Sequence, residues 1–333
     1  MKPHRIALSV ALCTASILAT VTARANNETD YLTPEISSWG RVLGHVPALN
    51  GRDLNGRGLN GDSLEGRLVT GVSAHGTLPS GVSLQDVWLD ESRLRGTDAR
   101  GRKVGPDGFV GAVFQGVLDD GNSLTLHVQA ITRHPDKANK DVYGYEVWYE
   151  NQSSLLPLCG VDDSGIPLLA IPLAGRWSYE EGTADGGSWI DDPAAFTFAC
   201  DGYVLAKCVV AGYKPWKEAK ICSASGKKAH CEKTTLAASH QACTRALRAD
   251  YFGDGTSHTV NGTVVNMYDG FGVRVDSADW PVEAEWNADG AVCVGHTRIA
   301  AEQASAAPLF AEDCGDVAFF QQETLIITEA VAY

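Results

Sequence analysis

The sequence predicts an α+β fold: a β-rich, disulfide-stabilised globular domain with two or three short helices, preceded by a short glycine-rich pentapeptide segment. Alternating apolar runs bounded by turn residues dominate residues 105–333, and a period of two is typical of strands. Helical spacing occurs in only a few places, so strands and helices do not alternate regularly, which favours the α+β class. The cysteine content and a five-residue repeat near the start complete the prediction.

Residues 1–25 predict a secretory signal peptide. Two basic residues precede an uncharged run from Ile6 to Ala23, and Ala23-Arg24-Ala25 offers the small residues of a cleavage site. The alternative, an uncleaved membrane anchor, is weaker because the apolar core is short and carries several hydroxyl side chains. No later stretch approaches the roughly 20 apolar residues of a membrane span. We therefore expect cleavage after Ala25 and a location outside the cytoplasm, in the periplasm, at the cell surface or released.

The charge balance excludes one class of partner. The chain carries a formal net charge of −14, and cleavage after Ala25 removes three basic and no acidic residues, which takes it to −17. An acidic surface repels phosphate backbones, so we expect no nucleic-acid partner. The sequence does not identify the partner; components of the cell surface are one choice that stays open.

A five-residue period occupies residues 49–101, after a polar lead-in over residues 26–48. An apolar residue opens most pentads, as at Leu49, Leu54 and Leu59, and glycine follows two positions later. This stretch resembles the pentapeptide-repeat proteins, in which each pentad forms one side of a square β-helix. The resemblance implies two or three coils, and it fits the second half of the segment better than the first.

The cysteines predict a disulfide framework. The chain has 9 cysteines, of which Cys13 lies in the signal segment, and an even number in an exported chain is typical of paired thiols. The remaining eight are Cys159, Cys200, Cys208, Cys222, Cys231, Cys243, Cys293 and Cys314. A zinc site is the alternative, but no C-x-x-C spacing occurs, and we expect neither a metal nor another cofactor. Connectivity stays open, although Cys222 with Cys231 and Cys293 with Cys314 are plausible local bridges.

The first elements of the globular body are strands. GAVFQGVLDDGNSLTLHVQAITR predicts a hairpin whose two apolar runs are joined by residues 119–122. VYGYEVWYE, LLAIPLAGRW and AFTFAC predict further strands. A short helix is then expected over Tyr203–Ala211, because Gly212 and Pro215 follow it as a stop signal.

The second helix is expected over residues 234–250, with Thr234 or Thr235 as its N-cap. Its apolar residues recur every three to four positions, which predicts one buried stripe. Asn261-Gly262 predicts a hairpin over residues 256–268. AEW, AVCVGHTR and TLIITEAVAY predict the last strands.

Several blocks of this body resemble the ADYC domain, a bacterial family of predicted exported proteins. In chain order they are YEVWY, PLCG, FTFAC, AKCV, HQAC, RADYFGDGTSHT and the W..DGAVC run at residues 286–293. The resemblance covers about residues 110–315. The resemblance implies export, but it implies no reaction, ligand or catalytic residue. One departure is that Phe252 stands where the family's name has cysteine.

Candidate functional residues cluster weakly around the signature. His240, Asp250, Asp254 and His258 are weak candidate catalytic residues, because packing explains the histidines and turn formation explains the aspartates better than catalysis does. Tyr213 and Trp216 flank a rigid proline and are candidate ligand-contacting aromatic residues. We therefore expect a non-enzymatic cell-surface or extracellular structural or binding module. The alternative is a secreted hydrolase or metal-dependent enzyme with its site around residues 250–258, for which the four candidates would have to converge beside a pocket.

Overall fold

The computed structural model describes residues 69–151, 154–178, 187–225, 228–260, 263–311, 314–315 and 324–331. The predicted signal peptide, the polar lead-in and residues 49–68 of the pentapeptide segment lie outside these ranges. Every described residue belongs to one contact unit, Ser38–Tyr333.

Six antiparallel strands form a closed barrel. They are β1 (Val69–Thr77), β5 (Val113–Leu118), β6 (Ser123–Arg133), β7 (Tyr143–Asn151), β9 (Ala170–Ala174) and β12 (Ala195–Cys200). Their order is β6-β5-β1-β12-β9-β7, and pairing of β7 with β6 closes the ring. A further short strand, β8 (Ser154–Pro157), pairs with β7 outside the ring.

The alternation of apolar and polar residues explains why these segments form a barrel. Side chains of successive residues point to opposite faces of a strand, so every second residue enters the interior. Phe114, Leu126 and Tyr145 are fully buried in this way. The rings of Phe196 and Phe198 pack edge to face with centroids 5.0 Å apart, and this interior is one continuous apolar core.

Three small sheets surround the barrel. A three-stranded sheet contains β2 (Leu84–Asp90), β3 (Arg93–Asp98) and β4 (Lys103–Val104), and two-stranded sheets pair β10 (Arg176–Trp177) with β11 (Trp189–Ile190) and β13 (Glu218–Ser225) with β14 (Lys228–Thr235).

A four-stranded sheet forms the second core together with the helices. Its strands are β15 (Val265–Asp269), β16 (Val282–Asn287), β17 (Gly290–Val294) and β18 (Ile326–Ala330), in the order β15-β18-β16-β17. Helix α1 (Val204–Val210) contacts helix α2 (Ala237–Arg248), and α2 packs on β16. Single turns of helix occur at α3 (Gln303–Ala306) and, as 3₁₀ turns, at Pro106–Phe109, Lys137–Asn139, Ala300–Glu302 and Ala307–Leu309.

The α+β assignment is wrong. The structure contains 44% strand against 15% helix, with two helices and a closed six-stranded barrel. Helices of an α+β protein cover a face of an open sheet as a layer. Here the main sheet buries its apolar face by closing on itself. Helices α1 and α2 pack between the two cores and do not cover a sheet as a layer.

The pentapeptide expectation is also not supported. Its described part, residues 69–101, forms β1 of the barrel and the antiparallel strands β2 and β3. β1 pairs with β5 on one side and β12 on the other, so its hydrogen-bond partners are distant strands and not the next pentad. Glycine recurs here partly because of close packing: a Cβ on Gly76 would lie 2.7 Å from the carbonyl oxygen of Val113.

Two local expectations need correction. Thr234 and Thr235 lie at the end of β14, and α2 starts after Leu236 without a side-chain cap. The hairpin over residues 256–268 is wrong, because residues 256–260 form no strand and β15 pairs with β18, Val265 opposite Ala330. A two-residue turn signal is purely local, and residues 261–262 lie outside the described ranges.

Three disulfides join the described elements. Cys159–Cys200 links the loop after β8 to the end of β12, Cys208–Cys243 links α1 to α2, and Cys293–Cys314 follows the pairing anticipated from the sequence. The β13–β14 register places Cys222 directly opposite Cys231. The side chains of these two residues lie outside the described part. None of the helices in the described ranges combines the length and apolar character that crossing a membrane requires.

A tryptophan-lined cleft as the candidate functional site

A cleft of about 290 Å³ lies where the barrel meets the start of α2. The end of β9 forms one wall, the β10–β11 pair another, and residues 215–216 and the first turns of α2 form the rest. Its lining residues are Leu89, Glu91, Leu173, Ala174, Trp177, Trp189, Pro215, Trp216, Thr235, Ala237, His240 and Gln241. We call this the tryptophan cleft. Its volume is at the lower end of the range of small-molecule sites, and its largely apolar lining is typical of them.

Three indole rings dominate the lining, and each has its N–H group occupied by the protein. Trp177 and Trp189 face each other across the β10–β11 ladder. Trp177 Nε1 donates to Gln241 Oε1 (2.8 Å), and Trp189 Nε1 donates to the carbonyl oxygen of Ala174 (2.9 Å). Trp216 Nε1 donates to Asp141 Oδ2 (3.1 Å). The rings therefore offer a ligand carbon surface and no hydrogen-bond donor, which favours apolar contact.

His240 forms part of the cleft floor and is only 1% exposed. Its Nε2 lies 3.0 Å from the carbonyl oxygen of Leu205, which can only accept, so Nε2 carries the proton. Burial lowers the pKa of His240 to about 4, because the charged imidazolium is poorly solvated there. The ring packs at 5.7 Å from that of Trp177. At neutral pH His240 is thus an uncharged packing residue with one nitrogen already bonded.

Gln241 and Asp141 hold the tryptophans in place. Gln241 accepts from Trp177 and donates through Nε2 to the carbonyl oxygen of Gly187 (3.2 Å). Asp141 accepts from Trp216 and pairs with Lys214 (2.6 Å) and Lys217 (3.1 Å). Burial alone would raise the pKa of Asp141, but the hydrogen bonds from these partners outweigh it and hold the pKa well below its usual range. The cleft walls are therefore fixed by internal hydrogen bonds before any ligand arrives.

The signature segment RADYFGDG forms a structural joint at the end of α2. Ala249 adopts the left-handed conformation with φ 53°, which ends the helix. Asp250 is fully buried, pairs with Arg245, and accepts the backbone N–H groups of Asp254 (3.1 Å) and Gly255 (3.0 Å). Gly253 has φ +67°, and a Cβ there would lie 1.5 Å from the carbonyl oxygen of Asp289.

Tyr251 and Arg298 extend this joint into the second core. The Tyr251 hydroxyl donates to Glu283 Oε1 (2.9 Å) and accepts the backbone N–H of Arg298 (3.0 Å). The fully buried guanidinium of Arg298 donates to the carbonyl oxygens of Ala246 and Leu247 in the last turn of α2. These contacts join the helix end to β16 and to the segment after β17, so the signature has a complete structural explanation.

The four catalytic candidates do not form one site. Asp254 accepts the N–H of Thr256 (2.8 Å), which is a turn contact, and His258 Nδ1 lies 2.8 Å from Glu302 Oε2. Asp250, Asp254 and His258 all lie just beyond the C-terminal end of α2. His240 lies near its other end, eight residues before Arg248, or about 12 Å along the axis. The structure brings three of the four residues to one region and separates His240 from them.

The two aromatic candidates differ in accessibility. Tyr213 is fully buried, and its hydroxyl donates to Asp269 Oδ2 (2.8 Å), so it anchors the second core and cannot touch a ligand. Trp216 lines the cleft. Sequence reasoning missed Trp177, Trp189 and Gln241, because only the β10–β11 pairing and the start of α2 bring these residues together.

One group of three side chains has the composition and spacing of a metal site. Among the described residues, Glu285, Cys293 and Cys314 are the group whose ligand atoms come close enough together. Both sulfur atoms are joined in a disulfide, and both carboxylate oxygens of Glu285 accept hydrogen bonds, from Gly315 and Thr324. In this state the group stabilises the end of the second core.

Comparison with known families identifies the family of the chain. The model of the ADYC domain matches residues 106–300, more than half of the 333-residue chain. The protein belongs to the ADYC domain family. The match contains the signature joint and most of the cleft lining, whereas β1, Leu89 and Glu91 precede it. No curated protein and no solved structure matches the chain.

Proposed function

We propose that this ADYC domain protein is an exported, non-enzymatic binding module, and that its tryptophan cleft receives an apolar or aromatic group of the ligand. The observation that carries the proposal is the chemistry of the cleft. Among the described residues that line it, there is no serine, cysteine, lysine or aspartate, and the one histidine is uncharged and bonded to Leu205. Such a lining supports apolar binding by shape, and it offers no nucleophile that is paired with a general base.

Export is the second part of the proposal. The amino-terminal segment has the pattern of a signal peptide, and the three disulfides are typical of an oxidising compartment outside the cytoplasm. The formal net charge of −14 disfavours a nucleic-acid partner.

A secreted hydrolase with its site at residues 250–258 is the second candidate. One observation favours it: Glu302 orients His258 through Nδ1, as carboxylates orient histidine bases. The other ring nitrogen of His258, Nε2, is buried without a hydrogen-bond partner in the described residues. The centroids of the Tyr251 and Phe252 rings lie 5.9 and 5.5 Å from that of the His258 ring. These ring contacts support a packing role for His258.

A titration with small probes tests the proposal. Mature protein (residues 26–333) is titrated with p-cresol, indole and, as a polar probe, glucose, and binding is followed by calorimetry. We expect the aromatic probes to bind and glucose not to bind. Trp189→Ala removes an aromatic wall and should weaken p-cresol binding by about tenfold. Trp280→Ala removes a half-buried tryptophan outside the cleft and should leave binding unchanged. Failure of both aromatic probes to bind, or equal binding by the Trp189 variant, would refute the proposal.

A further inference from the structure

A second cavity of about 280 Å³ adjoins the tryptophan cleft. Leu89 and Ala174 line both cavities, so the two lie side by side across these residues. Its other lining residues are Ala74, Val87, Trp88, Leu94, Gly175, Asp191, Asp192, Pro193, Ala195 and Phe196. We treat the two adjacent cavities as two compartments of one groove, of almost equal size.

The second compartment differs from the first in charge. Two carboxylates line it, whereas the tryptophan cleft contains one, that of Glu91. Asp192 pairs with Arg176 (3.0 Å), and among the described residues Asp191 is exposed and has no ion-pair partner. A cation placed here would therefore meet the carboxylate of Asp191, with which no described basic residue pairs.

Trp88 supplies a second element of cation recognition. It is 43% exposed, which is unusual for a residue of its size, and Lys103 Nζ lies 5.0 Å from the centroid of its ring. The lysine shows that this ring already attracts a cation through its electron-rich face. An aromatic ring and a free carboxylate bordering one cavity are a common arrangement for binding ammonium and guanidinium groups.

We infer that the ligand of the groove is a basic peptide segment of a partner protein, with a large apolar side chain in the tryptophan cleft and a lysine or arginine in the second compartment. This inference rests on the proposed binding function of the cleft. A peptide is favoured because two adjacent, side-chain-sized compartments of different chemistry match side chains at alternate positions of an extended chain, about 7 Å apart. The formal charge of −14 adds long-range attraction for a basic partner.

Strand addition does not explain the groove, which leaves side-chain recognition as the mode of binding. β9 pairs with β7 only at Tyr145–Ala170, so its outer edge is open further along. Proline at position 172 has no N–H to donate, and the carbonyl oxygen of Ala174 is already used by Trp189. The edge therefore offers a partner strand few hydrogen bonds.

Three short probes test the inference by calorimetry at low salt. They are Ac-Phe-Gly-Lys-amide, its neutral counterpart Ac-Phe-Gly-Gln-amide, and n-hexylamine, which carries an apolar chain and a cation without a peptide. We expect the lysine peptide to bind about fivefold more tightly than the glutamine peptide. Asp191→Asn should abolish this difference while leaving the glutamine peptide unaffected. Asp163→Asn, an equal charge change at an exposed site outside the groove, should preserve it.

The outcomes separate this inference from the proposed function. If both peptides bind equally, or if Asp191→Asn changes nothing, the cationic compartment is refuted while the apolar cleft stands. If hexylamine binds as tightly as the lysine peptide, the ligand is a small amine and the peptide is refuted. If no probe binds and p-cresol also fails, the proposed function falls with the inference.

Discussion

Replacement of Asp250 by asparagine tests whether the family signature is a structural joint. The Asp250 carboxylate is fully buried, pairs with Arg245 and accepts the N–H groups of Asp254 and Gly255. Asparagine keeps the size of the side chain but removes its charge, and its amide group cannot accept where both carboxylate oxygens now accept. Arg245, itself 1% exposed, would lose the carboxylate that pairs with it.

The magnitude follows from the burial of the pair. Removal of one partner of a buried ion pair typically costs about 3–5 kcal/mol, because the other charge stays buried and unpaired. The total free energy of unfolding of a typical domain is about 5–15 kcal/mol. We therefore expect Asp250→Asn to remove a large fraction of the stability and to lower the urea midpoint markedly.

Urea unfolding of the oxidised mature protein at pH 7, followed by tryptophan fluorescence and far-ultraviolet circular dichroism, measures this loss. Asp254→Asn is the matched control, because Asp254 is exposed and its carboxylate makes a turn contact with Thr256. The control should lose less than about 1 kcal/mol. If the two variants are equally stable, the signature is not the joint described here, and a role for Asp250 in chemistry or binding becomes the better explanation.

Three further predictions concern stability and covalent structure. Gly253→Ala should destabilise the protein by clearly more than Gly165→Ala, because both positions have positive φ but a Cβ at Gly165 meets no atom within 4 Å. The urea midpoints of the two variants measure the difference. Equal losses of stability would contradict the close approach at Gly253. The pKa of His240 is about 4 in the folded protein, whereas that of an unperturbed histidine is about 6.5, so the unfolded chain binds a proton first. The free energy of unfolding should therefore fall as the pH drops from 6.5 to 4, by about 3 kcal/mol from this residue. His240→Gln should reduce this pH dependence, and an unchanged slope would show that His240 is not buried and neutral. We expect Cys222 and Cys231 to form a fourth bridge, because the β13–β14 register places them opposite each other. Alkylation of the native protein should then find no free thiol among the eight cysteines that follow Cys13, and eight after reduction. A free pair at these two positions would contradict the bridge.

Elements with local determinants could be predicted from the sequence. The hairpin of β5 and β6 was predictable because residues 119–122 form its turn, with Leu118 and Asn122 bonded across it. The helices were predictable within a few residues, because their buried stripes, and for α1 the stop signal that follows it, are local in the sequence. Cys293 and Cys314 are only 21 residues apart, so their pairing could be anticipated as well.

Long-range pairing was not predictable. In the barrel β1 pairs with β12, more than 100 residues later, and in the second sheet β15 pairs with β18, more than 50 residues later. Neither pairing has a local signal in the sequence. The alternating pattern specifies that a strand has one buried face, and it does not specify whether the sheet is open or closed. This is why the α+β class was wrong although most strands were identified.

The candidate site illustrates the same limit. Trp216 was identified from its position beside Pro215. Trp177 and Trp189 belong to two short strands, and only the pairing of these strands brings the two rings together. Tyr213 and His240 satisfied the sequence criteria for candidates because buried and functional aromatic residues share the same local pattern. Their burial and internal hydrogen bonds could be read only from the tertiary structure.

Fluorine NMR of protein labelled with 5-fluorotryptophan tests the central claim most directly. The chain contains 8 tryptophans, whose resonances are assigned from single Trp→Phe variants. On addition of p-cresol, we expect shifts in the resonances of Trp177, Trp189 and Trp216, and none in that of Trp286, which is buried in the second core. Shifts confined to tryptophans outside the cleft, with these three unchanged, would contradict the account.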